Sequence, residues 1–292
     1  MEIKKINDEL FYIADTTNIP LIKTPEGFII FDAPINKDKA KKVKKIIEEN
    51  EIKPKFLILS HHHADHTGGA SYLKEYFNLT VLTSESEKLF IENPMIEPIY
   101  LAQGANPPKE FLTKWVKSKP VKVDEVVQPG EQEIGGRRIE FLDLSGHSIG
   151  MIGVKVDDVI FSADCFFSDE ILKKYIVPYF HDKDKFIEKL NYIKAFEFLY
   201  ILPSHGALYS RNEANSILEE NIKVVNNVEK QILTIIETPK NVEEILTSLN
   251  LPLTDFVVSY LIKSSAQSIL FSLLNKGDIK TYTKNCITYF AN

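Results

Sequence analysis

Ser60-His61-His62-His63-Ala64-Asp65-His66-Thr67-Gly68-Gly69 decides how this chain is read. The residues before it, Phe56–Leu59, are wholly apolar, as in a strand buried on both faces. Alternate residues of a strand face one side, so His61 and His63 project together beyond its end. The chain then turns and brings Asp65 and His66 towards a second point close by. Imidazole and carboxylate are the donors that borderline divalent cations favour, and this one segment supplies both kinds for two neighbouring ions. Gly68 and Gly69 let the backbone leave the turn tightly and start a helix close to them.

Complementary residues recur downstream. Ser145-Gly146-His147 follows the apolar Phe141, Leu142 and Leu144; Phe161-Ser162-Ala163-Asp164 and Leu202-Pro203-Ser204-His205-Gly206 close two further apolar strands. A surface histidine cluster would have no such partners. The candidate ligands are therefore His61, His63, Asp65, His66, His147, Asp164 and His205.

The flanking pattern supports a four-layer α/β design, two sheets face to face with helices outside. Strands are predicted at Glu9–Ala14, Ile19–Lys23, Phe28–Phe31, Phe56–Leu59, Leu79–Leu82, Val121–Val127, Gln132–Ile134, Arg138–Leu144, Ile152–Val156, Val159–Ser162 and Leu199–Leu202. Helices are predicted at Asn36–Glu49, Gly69–Tyr76, Ser86–Ile91 and Lys183–Phe198. Residues 92–120, punctuated by five prolines and carrying Tyr100, Phe111 and Trp115, break this rhythm. They read as a lid insertion or a surface excursion over its own small cluster, with Tyr100 and Trp115 as candidate pocket residues. Beyond residue 212 the pattern turns helical: Ala214–Glu237, Val242–Leu249, Asp255–Ile262 and Gln267–Asn275, the last three joined by Pro252 and a serine pair. A hairpin at Ile279–Tyr282 and Cys286–Phe290 ends the chain. The expected division is a catalytic domain, 1–212, and a winged-helix-like module, 213–292.

The 292 residues are 44% hydrophobic and 26% charged, ordinary globular composition. A net charge of −6 excludes a global basic field for nucleic acid or anionic membrane. Two cysteines exclude a disulfide-stapled scaffold. The charged N-terminus and the lack of a ~20-residue apolar run read as a cytoplasmic chain with no membrane span.

In these motifs the chain resembles the metallo-β-lactamase superfamily over about residues 5–212. The family's H-x-H-x-D-H appears as His61-x-His63-x-Asp65-His66, and later motifs match His147, Asp164 and His205. The resemblance implies an αββα sandwich with two divalent metal ions, zinc in first place and Fe or Mn as alternatives. His61, His63 and His147 would hold one ion, Asp65, His66 and His205 the other, with Asp164 bridging. Asp32, in Phe31-Asp32-Ala33-Pro34, looks like the first-motif aspartate that supports the ligands. Asp65 is the implied catalytic residue, orienting the nucleophile and shuttling its proton.

A bridging Asp164 looks more like glyoxalase II, lactonase, phosphodiesterase and ribonuclease relatives than like true β-lactamases, which carry Cys or Ser, or no ligand, there. The expected reaction is hydrolysis of an ester, thioester or lactone in a small molecule. One alternative is a persulfide dioxygenase with a single iron on His61, His147 and Asp164; another is an endoribonuclease or phosphodiesterase. The tail resembles the winged helix appended to hydrolases called β-lactamase-like protein 2. Residues 216–292 hold seven Lys, no Arg and eight acidic residues, so nucleic-acid binding is the weaker reading. Packing on the sandwich, shaping the pocket or supporting a homodimer are the roles left open to the module.

Overall fold

The computed structural model describes residues 1–251 and 255–292; Pro252, the expected joint, lies outside them. The chain opens with an antiparallel run, β1 (Glu2–Lys5), β2 (Leu10–Ala14), β3 (Ile19–Thr24) and β4 (Gly27–Phe31). Helix α1 (Lys37–Glu49), started by the Asn36 side chain accepting from Lys39 N at 2.9 Å, crosses to β5 (Pro54–Ile58), parallel to β4. The short α2 (Ala64–Thr67) and α3 (Ala70–Phe77) lead to β6 (Thr80–Thr83), again parallel. Helices α4 (Glu85–Glu92) and α5 (Ile96–Leu101) and a 3-10 turn at Lys109–Leu112 precede β7 (Glu125–Val126), which completes a seven-stranded sheet in chain order.

The second sheet has six strands. β8 (Gly130–Ile134), β9 (Arg137–Asp143), β10 (Ile152–Val156) and β11 (Val159–Ala163) are antiparallel neighbours. Helices α6 (Asp169–Tyr175) and α7 (Lys183–Ala195) carry the chain to β12 (Tyr200–Pro203), parallel to β11, and β13 (Tyr209–Ser210) closes that edge.

Side-chain alternation shows how the sheets stack. Leu10, Tyr12, Ile22, Ile29, Phe31 and Ile58 of the first sheet join Phe141, Val154 and Phe161 of the second in one buried cluster. Their neighbours Ile13, Leu21, Ile30 and Leu57 face the other way, onto Ala40, Val43 and Ile47 of α1 and Leu73 of α3. The rings of Phe31 and Phe161 meet across the sandwich with centroids 6.4 Å apart. This is an α/β sandwich, two mixed sheets between helices.

The helical region that follows comprises α8 (Arg211–Ile235), α9 (Val242–Ser248) and α10 (Phe256–Lys276), then the hairpin β14 (Lys280–Lys284) and β15 (Ile287–Ala291). Its Ala214, Leu218, Val225, Ile269 and Leu273 belong to the same buried cluster as Phe186 and Leu190 of α7.

Three local expectations need correction. The stretch 255–275 is one helix, not two: serine hydroxyls bond within a helix as well as end one, and Ser265 Oγ donates to Leu261 O. Undivided, α10 is 21 residues long with a mean hydropathy of 1.4, long and apolar enough to cross a membrane by length and composition. Two of its serines, Ser265 and Ser268, accept from Phe180 N and Lys183 N of the sandwich. Val121–Val127 forms a ladder only at Glu125–Val126; Val121 and Val123 alternate inward without a strand's regular pairing.

Candidate metal centre

Every candidate ligand lies at one rim, beyond the ends of β5, β9, β11 and β12. Their approach is shaped by backbone that ordinary residues adopt reluctantly. Asp32, just past β4, sits at φ 64° and Ala163, just before Asp164, at φ 50°. Gly146, before His147, has φ +133°, and a Cβ there would come within 2.5 Å of Phe186 N. Gly68 and Gly69 have ordinary helical φ, so the need there is space: a Cβ on Gly68 would lie 1.9 Å from Ile35 O.

The partners of the histidine rings define their tautomers. His147 Nδ1 donates to Tyr179 O at 3.0 Å, and His205 Nδ1 donates to Thr16 O at 2.6 Å. His66 Nδ1 donates to Asp32 Oδ2 at 2.9 Å. Ser60 Oγ gives its proton to Asp32 Oδ2 at 2.8 Å and so accepts from His61 Nδ1 at 2.9 Å. In each neutral ring the Nε2 lone pair then faces the centre.

Those lone pairs converge on two points. His61 Nε2 and His147 Nε2 each lie 3.0 Å from His63 Nδ1. One proton on His63 could satisfy only one of them. His205 Nε2 lies 3.1 Å and His66 Nε2 3.7 Å from Asp65 Oδ2. Asp164 Oδ2 stands between the groups, 3.4 Å from His66 Nε2, 3.5 Å from His205 Nε2 and 3.6 Å from His147 Nε2. His66 Nε2 is buried with no hydrogen-bond partner among the described residues. Converging acceptors and an orphaned buried nitrogen are what a cation would satisfy, and the N3 and N2O donor sets suit a divalent ion of zinc type.

The electrostatics agree. Burial, then the neighbouring rings, hold His61 and His63 well below the usual imidazole range. Burial opposes charge on His66 and His205 too, but the Asp65 and Asp164 carboxylates outweigh it and raise both. Asp164 and Asp65 are lowered in turn by His66 and His205 against the effect of burial. Positive charge is thus most stabilised beside Asp65 and Asp164, where a cation would sit.

Asp32, predicted to support the ligands, is fully buried and accepts from Ser60 N at 2.7 Å as well as from Ser60 Oγ and His66 Nδ1. Several supporting residues were not legible. His62, between two ligands, stacks on Phe90 and meets Glu87 Oε2 at 2.5 Å and Glu97 Oε2 at 3.0 Å. Burial works against its charge, yet the two carboxylates push it up to about 10. Glu87 also accepts from Ser148 Oγ at 2.6 Å and Gly150 N at 2.8 Å, tying the His147 loop to the His61 loop. Asn18 donates to Pro203 O at 3.0 Å and Gly206 O at 2.9 Å, bracing the His205 loop from a distant turn. Tyr179 places its ring against both His63 and His147, centroids 5.5 and 5.4 Å apart. Nothing in the local spacing around these residues marks them in the sequence.

Residues 92–120 are fastened at both ends to the ligand segment: Glu97 to His62, and Ser118 Oγ to Thr67 Oγ1 at 2.5 Å. Their apolar side chains Leu101, Phe111 and Val116 form a small buried cluster of their own, against which Val257, Tyr260 and Leu261 of α10 pack. Tyr100 reaches the His147 loop through His181, its hydroxyl 2.8 Å from His181 Nδ1. Trp115 does not join it: the ring is 66% exposed, with Lys114 Nζ 5.3 Å from its centroid.

Residues 13–205, more than half of the chain, match the metallo-beta-lactamase superfamily, and the chain belongs to that family. It is 30% identical over 129 residues to a hydroxyacylglutathione hydrolase of Shewanella loihica, covering 44% of this chain and 40% of that protein. It is 27% identical over 133 residues to the probable metallo-hydrolase YqgX of Bacillus subtilis, covering 44% and 58%. The chain thus matches less than two thirds of the length of either relative. A beta-lactamase domain protein from Burkholderia ambifaria shares the fold over nearly the whole chain, with a TM-score of 0.80, 15% identity, and coverage of 99% of this chain and 94% of that one.

Proposed function

We propose that this chain is a hydrolase with a dinuclear zinc centre that cleaves an ester, thioester or lactone bond in a small molecule. One observation carries the reading: two sets of three donors, with the Asp164 carboxylate between them. His61, His63 and His147 would hold one ion and Asp65, His66 and His205 the other. The relatives named as hydrolases support cleavage by water. The small acidic excess of residues 216–292 supports a small molecule over RNA.

When bound, the ions supply a water acidified towards neutral pH and a Lewis acid for the scissile carbonyl. The protein supplies orientation. Asp32 and Ser60 hold His66 and His61 with lone pairs inward, so little rearrangement accompanies loading. Asp65, ionised throughout the neutral range, orients the attacking water and carries its proton towards the leaving group. Tyr179, raised by burial and by the Glu97 charge, stays a neutral wall beside His63 and His147.

Zinc-loaded protein should turn over chromogenic esters, thioesters or lactones faster than phosphodiesters or RNA. Asp65→Asn should lower kcat by about 10²–10⁴-fold with the fold kept. If zinc-loaded protein hydrolyses none of these while iron-loaded protein consumes oxygen with a persulfide, the reading fails.

A further inference from the structure

A cavity of about 300 Å³ opens between α5, the loop before α7, and α10. That volume is at the lower end for small-molecule sites. Tyr100 and His181 form one wall, joined by their 2.8 Å hydrogen bond; Ser264, Gln267 and Phe271 of α10 form the other. The His181 wall is hydrogen-bonded to the loop that carries His147. His181 N donates to Gly146 O at 2.8 Å and to His147 O at 3.2 Å. On the other side, Tyr100 lies one turn along α5 from Glu97, which holds His62. A substrate whose reacting bond sits at the ligands therefore has a recess of hydrogen-bonding groups beside it.

The charges around this recess are specific. Lys263, the one cation lining it among the described residues, is paired with Glu243 at 2.6 Å. Behind Tyr100 stand Glu87 and Glu97, with the single ring of His62 between them. A carboxylate moved into this space would lose its hydration and gain no free positive partner. An amide or hydroxyl would exchange water for the Gln267 amide and the Ser264 hydroxyl at little net cost, and its methylenes would lie against Phe271 and Tyr260.

We propose that this cavity binds an arm of the substrate, and that the arm is an uncharged, hydrogen-bonding chain of amide or hydroxyl type rather than one bearing carboxylates. The proposal rests on the hydrolase reading for its chemistry but not for its binding. It assigns α10 and the 92–120 segment jointly to specificity.

The test compares two acetyl thioesters of similar arm length, one with N-acetyl-β-alanyl-cysteamine and one with N-succinyl-cysteamine as leaving thiol, on the full zinc-loaded chain. The neutral arm should be favoured in kcat/KM by about tenfold, the effect of roughly 1.4 kcal/mol. Gln267→Leu should bring that ratio close to one, and Tyr100→Phe should reduce it. Preference for the succinyl arm, or a ratio unchanged in Gln267→Leu, would overturn the proposal. Titration calorimetry with N-acetyl-β-alanyl-ethanolamine, which has no thiol and no bond to cleave, reads the cavity even if neither thioester reacts. Binding weakened severalfold in Gln267→Leu supports the assignment; equal binding to both proteins, or tighter binding of the succinyl analogue, refutes it. Failure of turnover alone would count against the hydrolase reading and leave the calorimetric result to decide the cavity.

Discussion

Asp32 shows how much one side chain can organise. Its left-handed backbone turns the carboxylate back under β5, where it accepts three hydrogen bonds, from Ser60 N, Ser60 Oγ and His66 Nδ1. Asparagine tolerates that backbone but replaces an acceptor oxygen with a donor. Asp32→Asn should therefore weaken zinc affinity by about 10–100-fold, as measured by chelator competition. Affinity equal to that of the parent would remove Asp32 from the site's design. His62 makes a different kind of prediction. Its folded pKa of about 10 lies above the ordinary 6.5, so its ion pairs with Glu87 and Glu97 stabilise the fold fully below pH 6.5. That contribution declines as pH rises towards 10. The stability gap between parent and His62→Asn should be larger at pH 6 than at pH 9.5 in urea titrations; a gap constant with pH would show that His62 is not charged. The candidate ligands could be picked out in sequence because the segments that carry them follow apolar strands. Glu97, Asn18 and Tyr179 were not, since their roles come from tertiary neighbours that no local spacing announces.

Helices and turns carry the next set of constraints. The α2–α3 junction approaches the Ala33–Asn36 loop so closely that Gly68 has room for hydrogen only. Gly68→Ala should destabilise by about 3 kcal/mol and lower Tm accordingly, because the clash is with backbone that cannot step aside. The sequence reading placed glycine here for a tight exit from the turn and a close helix start; the structure adds the contact that requires it, with Ile35 O. α10 offers the complementary case. Ser265 and Ser268 accept from Phe180 N at 3.2 Å and Lys183 N at 2.8 Å. They hold the loop whose Tyr179 carbonyl orients His147. Ser268→Ala should cost about 1–3 kcal/mol by leaving a part-buried N–H unpaired. A melting temperature equal to the parent's would show that the loop does not depend on the helix. The Ser264–Ser265 pair was misread as a break because local composition cannot distinguish hydroxyls that end a helix from one, like that of Ser265, that grips a neighbour.

Taken together, the layers bring two left-handed residues, Asp32 and Ala163, and the one buried nitrogen without a partner among the described residues, His66 Nε2, to a single rim. The sandwich was legible from periodicity, since alternating residues of β2–β5 had to face two different cores. The continuity of that core into α8 and α10 was not, because long-range packing leaves no mark in a residue's neighbours along the chain. The account stands or falls on whether seven side chains from 61 to 205 hold two cations. Metal content by mass spectrometry on reloaded, desalted protein tests this directly, in the parent and in a His61→Ala/His205→Ala variant. Two transition-metal ions per chain in the parent, with marked loss in the variant, is the predicted result. Substoichiometric metal in the parent, or full retention in the variant, would contradict it.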